Sequence, residues 1–98
     1  MTINVENKDG AVVLALEGRL DTNTAPMLEK TISELPEDTS NLVLDMNKLE
    51  YISSAGLRVL LATHKKISKV GTMKLTGVCD DVMEVFEMTG FVDFLVIE

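Results

Sequence analysis

The chain has 98 residues, of which 46% are hydrophobic, and this length suits one domain with an aliphatic core and leaves little room for a second. Its formal net charge of −7 argues against binding to nucleic acid or to an anionic membrane surface, because both need clusters of Lys and Arg. The single cysteine, Cys79, rules out an internal disulfide, and the N-terminal residues carry no signal-peptide pattern. We therefore expect a cytoplasmic protein with one domain over residues 1–98 that binds neither nucleic acid nor membrane.

Two short strands open the predicted fold. Ile3 and Val5 alternate with polar residues, which is typical of a half-buried strand. An Asp-Gly pair at positions 9 and 10 favours a tight hairpin turn, and the alternation resumes in the run AVVLALEGRL. The pattern predicts a hairpin over residues 3–18, whose second strand is apolar on both faces and lies inside a sheet.

A helix is predicted next. Thr22, Asn23 and Thr24 are three candidate N-caps, and the proline that follows them is tolerated in a first helical turn. Apolar residues then recur at helical spacing up to Pro36, which cannot continue a helix. We expect this helix to run from about Thr24 to Leu35.

The central part of the chain predicts a strand followed by a second helix. Residues from about Asn41 to Met46 are predicted to form a buried strand, and residues 47–50 a loop. Apolar residues between Ala55 and Ser68 recur on one face of a helix, and Gly71 is a typical stop signal. The opposite face of this helix is expected to be solvated and carries Arg58, Lys65, Lys66 and Lys69.

Three further elements complete the order. The run TMKLTGV predicts a strand, and Asp80 or Asp81 is expected to cap a short helix that ends at Gly90. The segment VDFLVI near the C-terminus predicts a last strand. The resulting order β-β-α-β-α-β-α-β indicates an α/β fold in which most of the sheet is parallel and helices cover it.

Enzyme chemistry finds little support in the sequence. The only histidine, His64, follows Ser54 in the same helix at a distance of roughly 15 Å, which rules out a Ser-His-acid triad within one chain. One Cys and one His cannot make a structural zinc site, and the glycines are too scattered for a phosphate-binding loop. We therefore expect a protein that is not an enzyme and carries no cofactor.

Two adjacent serines, Ser53 and Ser54, stand where the second helix begins. A serine at such a position commonly accepts a hydrogen bond from a free backbone N–H, and one serine would suffice for this. A phosphate would also be tolerated there, because the helix dipole and the free N–H groups favour anions. Spacing alone favours a cap over a phosphorylation switch.

The middle of the chain resembles the central signature of STAS domains, and in particular of bacterial anti-sigma factor antagonists; it reads LVLDMNKLEYISSAGLRVLLATHKK. That signature is a buried strand, a short loop, an Asp-Ser-Ser/Thr-Gly-Leu-type motif and an amphipathic helix. Other parts of the family are similar to the runs LALEGRLDTNTAPML and VMEVFEMTGF, so the resemblance covers essentially the whole chain. It implies the STAS (SpoIIAA-like) fold, a mixed, mostly parallel β-sheet with helices mainly on one side.

The resemblance implies a protein-binding switch. In such a family, the unmodified protein binds an anti-sigma factor and so frees a sigma factor for transcription. The anti-sigma factor is often also a serine kinase that uses ATP, and its phosphorylation of the motif serine ends the complex until a metal-dependent serine phosphatase reverses it. The nucleotide then belongs to the partner and not to this chain.

The resemblance also assigns the phosphorylated residue. Aligning Gly56-Leu57 with the Gly-Leu of the motif places Ser54 on the family's phosphorylated serine, with Ser53 as the less favoured acceptor. Ser53 stands where the family usually has Asp, and Arg58 stands where many members have a second glycine. The missing Asp removes a charge beside the acceptor.

A partner-binding surface around this motif is implied as well. It includes the aspartate of the turn before the first helix, which lies near the motif in this fold, although on its own such an aspartate more often caps the helix. The implied surface consists of Asp21, Ser53, Ser54, Ala55, Gly56, Leu57 and Arg58.

Two alternatives are left open by the sequence. The chain could be a STAS subunit without a switch, serving as part of a transporter or of a larger signalling complex. It could instead be a small nucleotide-binding module, a property sometimes proposed for the fold, although no phosphate loop is visible.

Overall fold

The computed structural model describes all residues, Met1–Glu98, and confirms the predicted order of strands and helices. The strands are β1 (Thr2–Lys8), β2 (Ala11–Leu20), β3 (Asn41–Ile52), β4 (Thr72–Thr76) and β5 (Val96–Ile97). The helices are α1 (Ala25–Ser33), α2 (Ser54–Ser68) and α3 (Asp80–Thr89), and a 3-10 turn covers Phe91–Asp93. No helix in the chain combines the length and the apolar character that crossing a membrane requires.

The five strands form one sheet in the order β1-β2-β3-β4-β5. β1 and β2 are antiparallel, and the other neighbouring pairs are parallel. Asp9 and Gly10 make the hairpin turn with positive φ angles of 52° and 83°, as the Asp-Gly signal predicted. The mixed, mostly parallel sheet is therefore confirmed, and β2 lies inside it as expected.

The helices cover one face of this sheet. Buried residues alternate with half-buried or exposed ones along β4 and the first halves of β2 and β3, and the buried set includes Leu14, Leu44 and Leu75. α2 and α3 pack on this face, where Leu60 and Phe86 are fully buried in the same core. The prediction of helices mainly on one side of the sheet is confirmed.

β3 spans 12 residues, twice the predicted length, and the predicted loop at residues 47–50 is wrong. β2 extends to Leu20 and pairs with β3 as far as Ile52, so residues 47–50 are part of the strand, and Lys48 and Leu49 among them have partners in β2. The register shifts twice along the pairing, and each shift adds one residue to β3. As a result Met46, Leu49 and Ile52 are buried at a spacing of three rather than two.

Two predictions near the C-terminus are wrong in part. Cys79 occupies the N-cap position of α3, although its side chain forms no capping hydrogen bond, and Asp80 and Asp81 lie in the first turn instead. Carboxylates are favourable there because they face the positive end of the helix dipole. The predicted last strand is shortened to Val96–Ile97, because the residues before it form the 3-10 turn. Gly90 ends α3 as predicted, with a positive φ of 79°.

The first two helices begin within one residue of the predicted positions. α1 starts directly after its N-cap residue Thr24, and α2 starts at Ser54 with Ser53 as its N-cap residue. α1 ends at Ser33, two residues before the predicted end. Because α1 follows β2 and α2 follows the parallel β3, both helices start at the same edge of the sheet.

Candidate partner-docking site

Ser53 caps α2. Its backbone is extended, with φ −102° and ψ 176°, and its hydroxyl oxygen accepts a hydrogen bond from the Gly56 N–H at 3.4 Å. Its carbonyl oxygen accepts a hydrogen bond from the Leu57 N–H at 2.9 Å. One of the two adjacent serines is therefore used for the start of the helix.

Ser54 occupies the first helical position and has a different environment. Its side chain is exposed, and its hydroxyl makes no hydrogen bond within the chain. The free N–H groups of the first turn and the positive end of the helix dipole lie beside it, so an anion attached to this hydroxyl is electrostatically tolerated. The capping hydroxyl and the free hydroxyl therefore belong to different serines.

Gly56 lets α2 approach the sheet closely. A Cβ atom added at this position would lie 2.7 Å from Leu20 Cγ and 2.9 Å from Ile52 Cγ1, closer than carbon atoms normally approach. The next residue, Leu57, is buried in the core. The Gly-Leu pair of the motif therefore holds the first turn of α2 against the ends of β2 and β3.

Exposure divides the predicted partner-binding residues. Two of them are open to solvent, and two others are buried and shape the surface from inside. The exposed ones are Ser54 and Arg58, the half-buried ones Asp21, Ser53 and Ala55, and the buried ones Gly56 and Leu57. We therefore expect Ser54 and Arg58 to make the direct contacts with a partner.

Asp21 organises the turn between β2 and α1. Its carboxylate oxygen Oδ1 accepts hydrogen bonds from the N–H groups of Asn23 at 3.0 Å and Thr24 at 3.1 Å. The Thr24 hydroxyl oxygen accepts in return from the Asp21 N–H at 2.8 Å, and the hydroxyl donates to the Arg19 carbonyl oxygen at 2.7 Å. Of the three candidate caps only Thr24 takes the N-cap position, and the Asp21 carboxylate rather than the Thr24 side chain satisfies the neighbouring N–H groups.

The turn lowers the pKa of Asp21 below its ordinary value. Partial desolvation raises the pKa of this carboxyl group, but hydrogen bonds from the N–H groups of Thr24 and Asn23 and from the Thr24 hydroxyl stabilise the carboxylate. The positive charge of Arg19 acts in the same direction, and together these effects outweigh the desolvation. The folded turn therefore stabilises the ionised form of Asp21.

Ionised Asp21 is expected to stabilise the fold at neutral pH and to lose this effect in acid. A carboxyl group whose pKa is lower in the folded state stabilises that state above the unfolded pKa of about 3.9, and loses the effect as the pH falls through the folded value. At about pH 7 the native chain should have a higher melting temperature than Asp21→Asn, and this difference should shrink as the pH falls below about 3.9. Asp38→Asn changes an exposed aspartate that makes no hydrogen bond in the chain and is the matched control. A difference that stays constant over this pH range would contradict the prediction.

The turn of Asp21 and the motif lie side by side. The Ser53 N–H donates to the Leu20 carbonyl oxygen at 2.9 Å, which holds the start of α2 against the end of β2. Thr22 and Arg58 line the same surface groove between α1 and α2. Asp21 therefore lies near the motif, but its carboxylate is hydrogen-bonded to N–H groups of its own turn.

Two residues beside the motif were absent from the predicted surface. The Arg19 guanidinium carbon lies 4.2 Å from the centre of the Tyr51 ring, which is a cation–π contact. The contact forms because the two residues are paired in the register of β2 and β3. Tyr51 is 39% exposed, so this pair lies at the surface three residues before Ser54. No pattern in the sequence indicates this contact, because the predicted β3 ends at Met46.

His64 lies in the C-terminal half of α2, away from Ser54. Its Nε2 atom is 3.4 Å from the Ser68 hydroxyl oxygen, and its ring centre is 5.1 Å from that of Phe94. Because α2 runs unbroken from Ser54 past His64, the two side chains have the helical separation that excludes a triad. No three His, Cys, Asp or Glu side chains come close enough together to hold a metal ion.

Comparison with known proteins identifies the family. A family model described as STAS domain matches residues 2–98. The chain is 36% identical over 93 residues to a Bordetella bronchiseptica protein provisionally named anti-sigma factor antagonist BtrV, covering 93% of this chain and 80% of that protein. It is 29% identical over 98 residues to the anti-sigma-B factor antagonist of Bacillus subtilis, covering 97% of this chain and 90% of that protein. The crystal structure of an anti-sigma factor antagonist from Mycobacterium paratuberculosis superposes with a TM-score of 0.89 at 29% identity, covering 98% of this chain and 83% of that one. Since the match spans nearly every residue and the fold agrees, this protein belongs to the STAS domain family.

Proposed function

We propose that this protein is an anti-sigma factor antagonist whose activity is switched by phosphorylation. In its unmodified form it binds an anti-sigma factor that is also a serine kinase, and phosphorylation of Ser54 ends the complex. The names of its relatives support the antagonist role. The observation that supports the switch is the division between the two serines: Ser53 caps α2, and Ser54 is exposed with a free hydroxyl.

A phosphate on Ser54 changes the surface of the domain without unfolding it. It adds about 1.5 to 2 negative charges at the N-terminus of α2, where the helix dipole and free N–H groups favour an anion. The Ser53 cap and the close packing of Gly56 do not involve the Ser54 hydroxyl, so both persist after modification. The partner then meets a different charge at an otherwise unchanged helix start.

The catalytic groups of this switch belong to the partners. The chain supplies the accepting hydroxyl, while the anti-sigma factor kinase supplies ATP and the groups that transfer its phosphoryl group. A metal-dependent serine phosphatase restores the hydroxyl. The chain, treated as one STAS domain over residues 1–98, then acts in the cytoplasm as a regulator with no enzymatic activity or cofactor of its own.

Reconstitution with a kinase-type anti-sigma factor of the same organism tests this function. The partner can be identified as the product of a neighbouring gene or by capture on the immobilised chain. The unmodified chain should bind this anti-sigma factor, which should then release its sigma factor. Adding ATP should transfer phosphate to Ser54 and weaken the complex by about a hundredfold, because an unfavourable charge in an interface commonly costs about 3 kcal/mol.

Several outcomes would contradict this proposal. A complex that forms but is unaffected by ATP would remove the switch and leave a plain antagonist. Capture of transport components in place of an anti-sigma factor would favour the structural-subunit alternative. Calorimetric binding of ATP or GTP to the isolated chain would show that nucleotide does not belong to the partner alone.

A further inference from the structure

The charged residues of the chain are strongly segregated. All 16 acidic residues lie outside the stretch from Tyr51 to Cys79, which contains five of the nine basic residues. Three of these five lie on α2, a fourth, Lys69, is its C-cap residue, and the fifth, Lys74, pairs with Glu98 at 3.3 Å. α2 is therefore a basic element in a chain whose formal net charge is −7.

The three basic residues of α2 and its C-cap residue Lys69 lie on one exposed face of the helix. Their positions follow Arg58 by seven, eight and eleven residues, which keeps them within about a third of the helix circumference. At a rise of 1.5 Å per residue, the charges extend over about 16 Å. The basic stripe is defined as the exposed residues Arg58, Lys65, Lys66 and Lys69.

No carboxylate of the chain neutralises the basic stripe. Glu29 lines surface grooves with both Arg58 and Lys66, and Glu37 lines one with Lys66, but neither carboxylate forms an ion pair with these residues. The ion pair between Lys74 and Glu98 is the only one in the chain. The stripe therefore presents to solvent positive charge that no ion pair within the chain neutralises.

We propose, building on the function proposed above, that the basic stripe is the surface on which an acidic patch of the anti-sigma factor docks. Ser54 lies on the same face, four residues before Arg58, so the docking surface and the modified serine are continuous. Complementary charge at an interface speeds association and discriminates against wrong partners. The stripe thus supplies selectivity for a partner that the acidic remainder of the chain would repel.

An acidic protein patch fits the stripe better than nucleic acid or an anionic membrane does. Long polyanions extend well beyond about 16 Å. They would also contact the rest of the chain, where 16 acidic residues outnumber five basic ones. A folded protein can instead match the short stripe in size and present neutral or basic groups beyond it.

A phosphate on Ser54 would occupy the N-terminal end of the stripe. Residues four apart on a helix are neighbours, with Cβ atoms about 5–6 Å apart, so the phosphate can pair with the Arg58 guanidinium. Its charge of about −1.5 to −2 cancels roughly half of the four positive charges of the stripe. Dissociation then follows from the loss of the charge complementarity on which docking depends.

Removal of charge from the stripe tests this inference against a matched set of lysines. The stripe variant is Lys65→Gln/Lys66→Gln/Lys69→Gln. The control removes three exposed lysines outside α2 and is Lys8→Gln/Lys30→Gln/Lys48→Gln. Affinity for the anti-sigma factor is measured from about 50 to about 500 mM salt, after circular dichroism has shown that both variants are folded. At low salt we expect the stripe variant to bind roughly tenfold more weakly, mainly through slower association, and the control to stay within about threefold of the native chain.

The outcomes separate this inference from the proposed function. If the native chain binds the anti-sigma factor and the stripe variant matches the control, the inference is wrong and the proposed function stands. If the native chain does not bind, the proposed function fails, and the stripe is judged by titration with a poly-glutamate peptide followed by backbone amide NMR. Shifts concentrated on α2 support the stripe, and absent or scattered shifts overturn it. Stripe-dependent binding to duplex DNA or phosphatidylserine vesicles that is tighter than binding to the anti-sigma factor overturns it too.

Discussion

Ser54→Ala is expected to end phosphorylation of the chain by the anti-sigma factor kinase while the fold and the capture of that kinase persist. The substitution removes the proposed accepting hydroxyl, which makes no hydrogen bond within the chain. Ala is also a better helix former than Ser, so stability should change by no more than about 0.5 kcal/mol. Transfer of labelled phosphate from ATP, followed by peptide mapping, measures the effect, and label should fall to background.

Ser53→Ala is the control that separates the two serines. It keeps the proposed acceptor and removes the hydroxyl that accepts from the Gly56 N–H, at an expected cost of about 0.5–2 kcal/mol. The melting temperature should fall by about 4–8 °C for each kcal/mol lost, and the variant should still be phosphorylated well below that temperature. Label that persists in Ser54→Ala and disappears in Ser53→Ala would reverse the assignment.

The cap also explains how the chain accommodates its departure from the family motif. The family usually has Asp at the position of Ser53, and Asp and Ser are both strong N-caps. The replacement therefore preserves the start of α2 and removes a negative charge beside Ser54. Arg58, at a position where the resemblance implies a second glycine in many members, adds a positive charge one turn later. Both changes make the N-terminal part of α2 more positive, in keeping with an acidic partner.

Local signals were sufficient for the hairpin and for most helix ends. The Asp-Gly turn and the stop at Gly90 each depend on the backbone preference of one or two residues, and the positive φ angles at these positions show why glycine is placed there. Pro36 likewise predicted the end of α1 to within a few residues. These features could be predicted because their causes lie within a few positions of their effects.

The features that could not be predicted depend on distant partners. Residues 47–50 are polar enough to indicate a loop, yet they form strand because β2 supplies a pairing partner up to Leu20. The contact between Arg19 and Tyr51 follows from the same pairing and from its two register shifts. No periodicity within either segment carries that information.

In the candidate site, too, the features with local causes could be predicted and those that depend on distant residues could not. Two capping-type residues in sequence predicted that a serine starts α2 but not which one, because the choice depends on which backbone is extended. The basic residues of α2 were expected to be solvated, and their exposure agrees with this. Their lack of carboxylate partners could not be predicted, because it depends on where the fold positions α1 and the loop that follows it.

Gly56→Ala is expected to lower the free energy of unfolding by about 1–2 kcal/mol and the melting temperature by roughly 5–15 °C. Alanine gains about 0.8–1 kcal/mol over glycine in helix propensity, so a packing cost of about 1–3 kcal/mol decides the sign. The new Cβ would lie 2.7 Å from Leu20 Cγ and 2.9 Å from Ile52 Cγ1, and both side chains are buried. Neither contact atom is the free end of a flexible side chain, so we expect the packing cost to lie in the upper part of its range. Relief of the overlap moves the first turn of α2 away from the sheet.

Gly71→Ala is the comparison that separates stability from function. Its Cβ would overlap the backbone of Ser40, whose carbonyl oxygen accepts a hydrogen bond from the Thr72 N–H at 2.7 Å, and backbone cannot rotate away as a side chain can. We therefore expect a larger loss of stability than in Gly56→Ala. Gly56→Ala also displaces Ser54, so phosphorylation of this variant should be slower than that of the native chain at temperatures where the variant is fully folded. Gly71 lies beyond the other end of α2. Gly71→Ala should therefore lower stability strongly and change the phosphorylation rate of the folded chain little. A Gly56→Ala variant as stable as the native chain would mean that helix propensity outweighs the overlap and that α2 is not held against the sheet at this glycine.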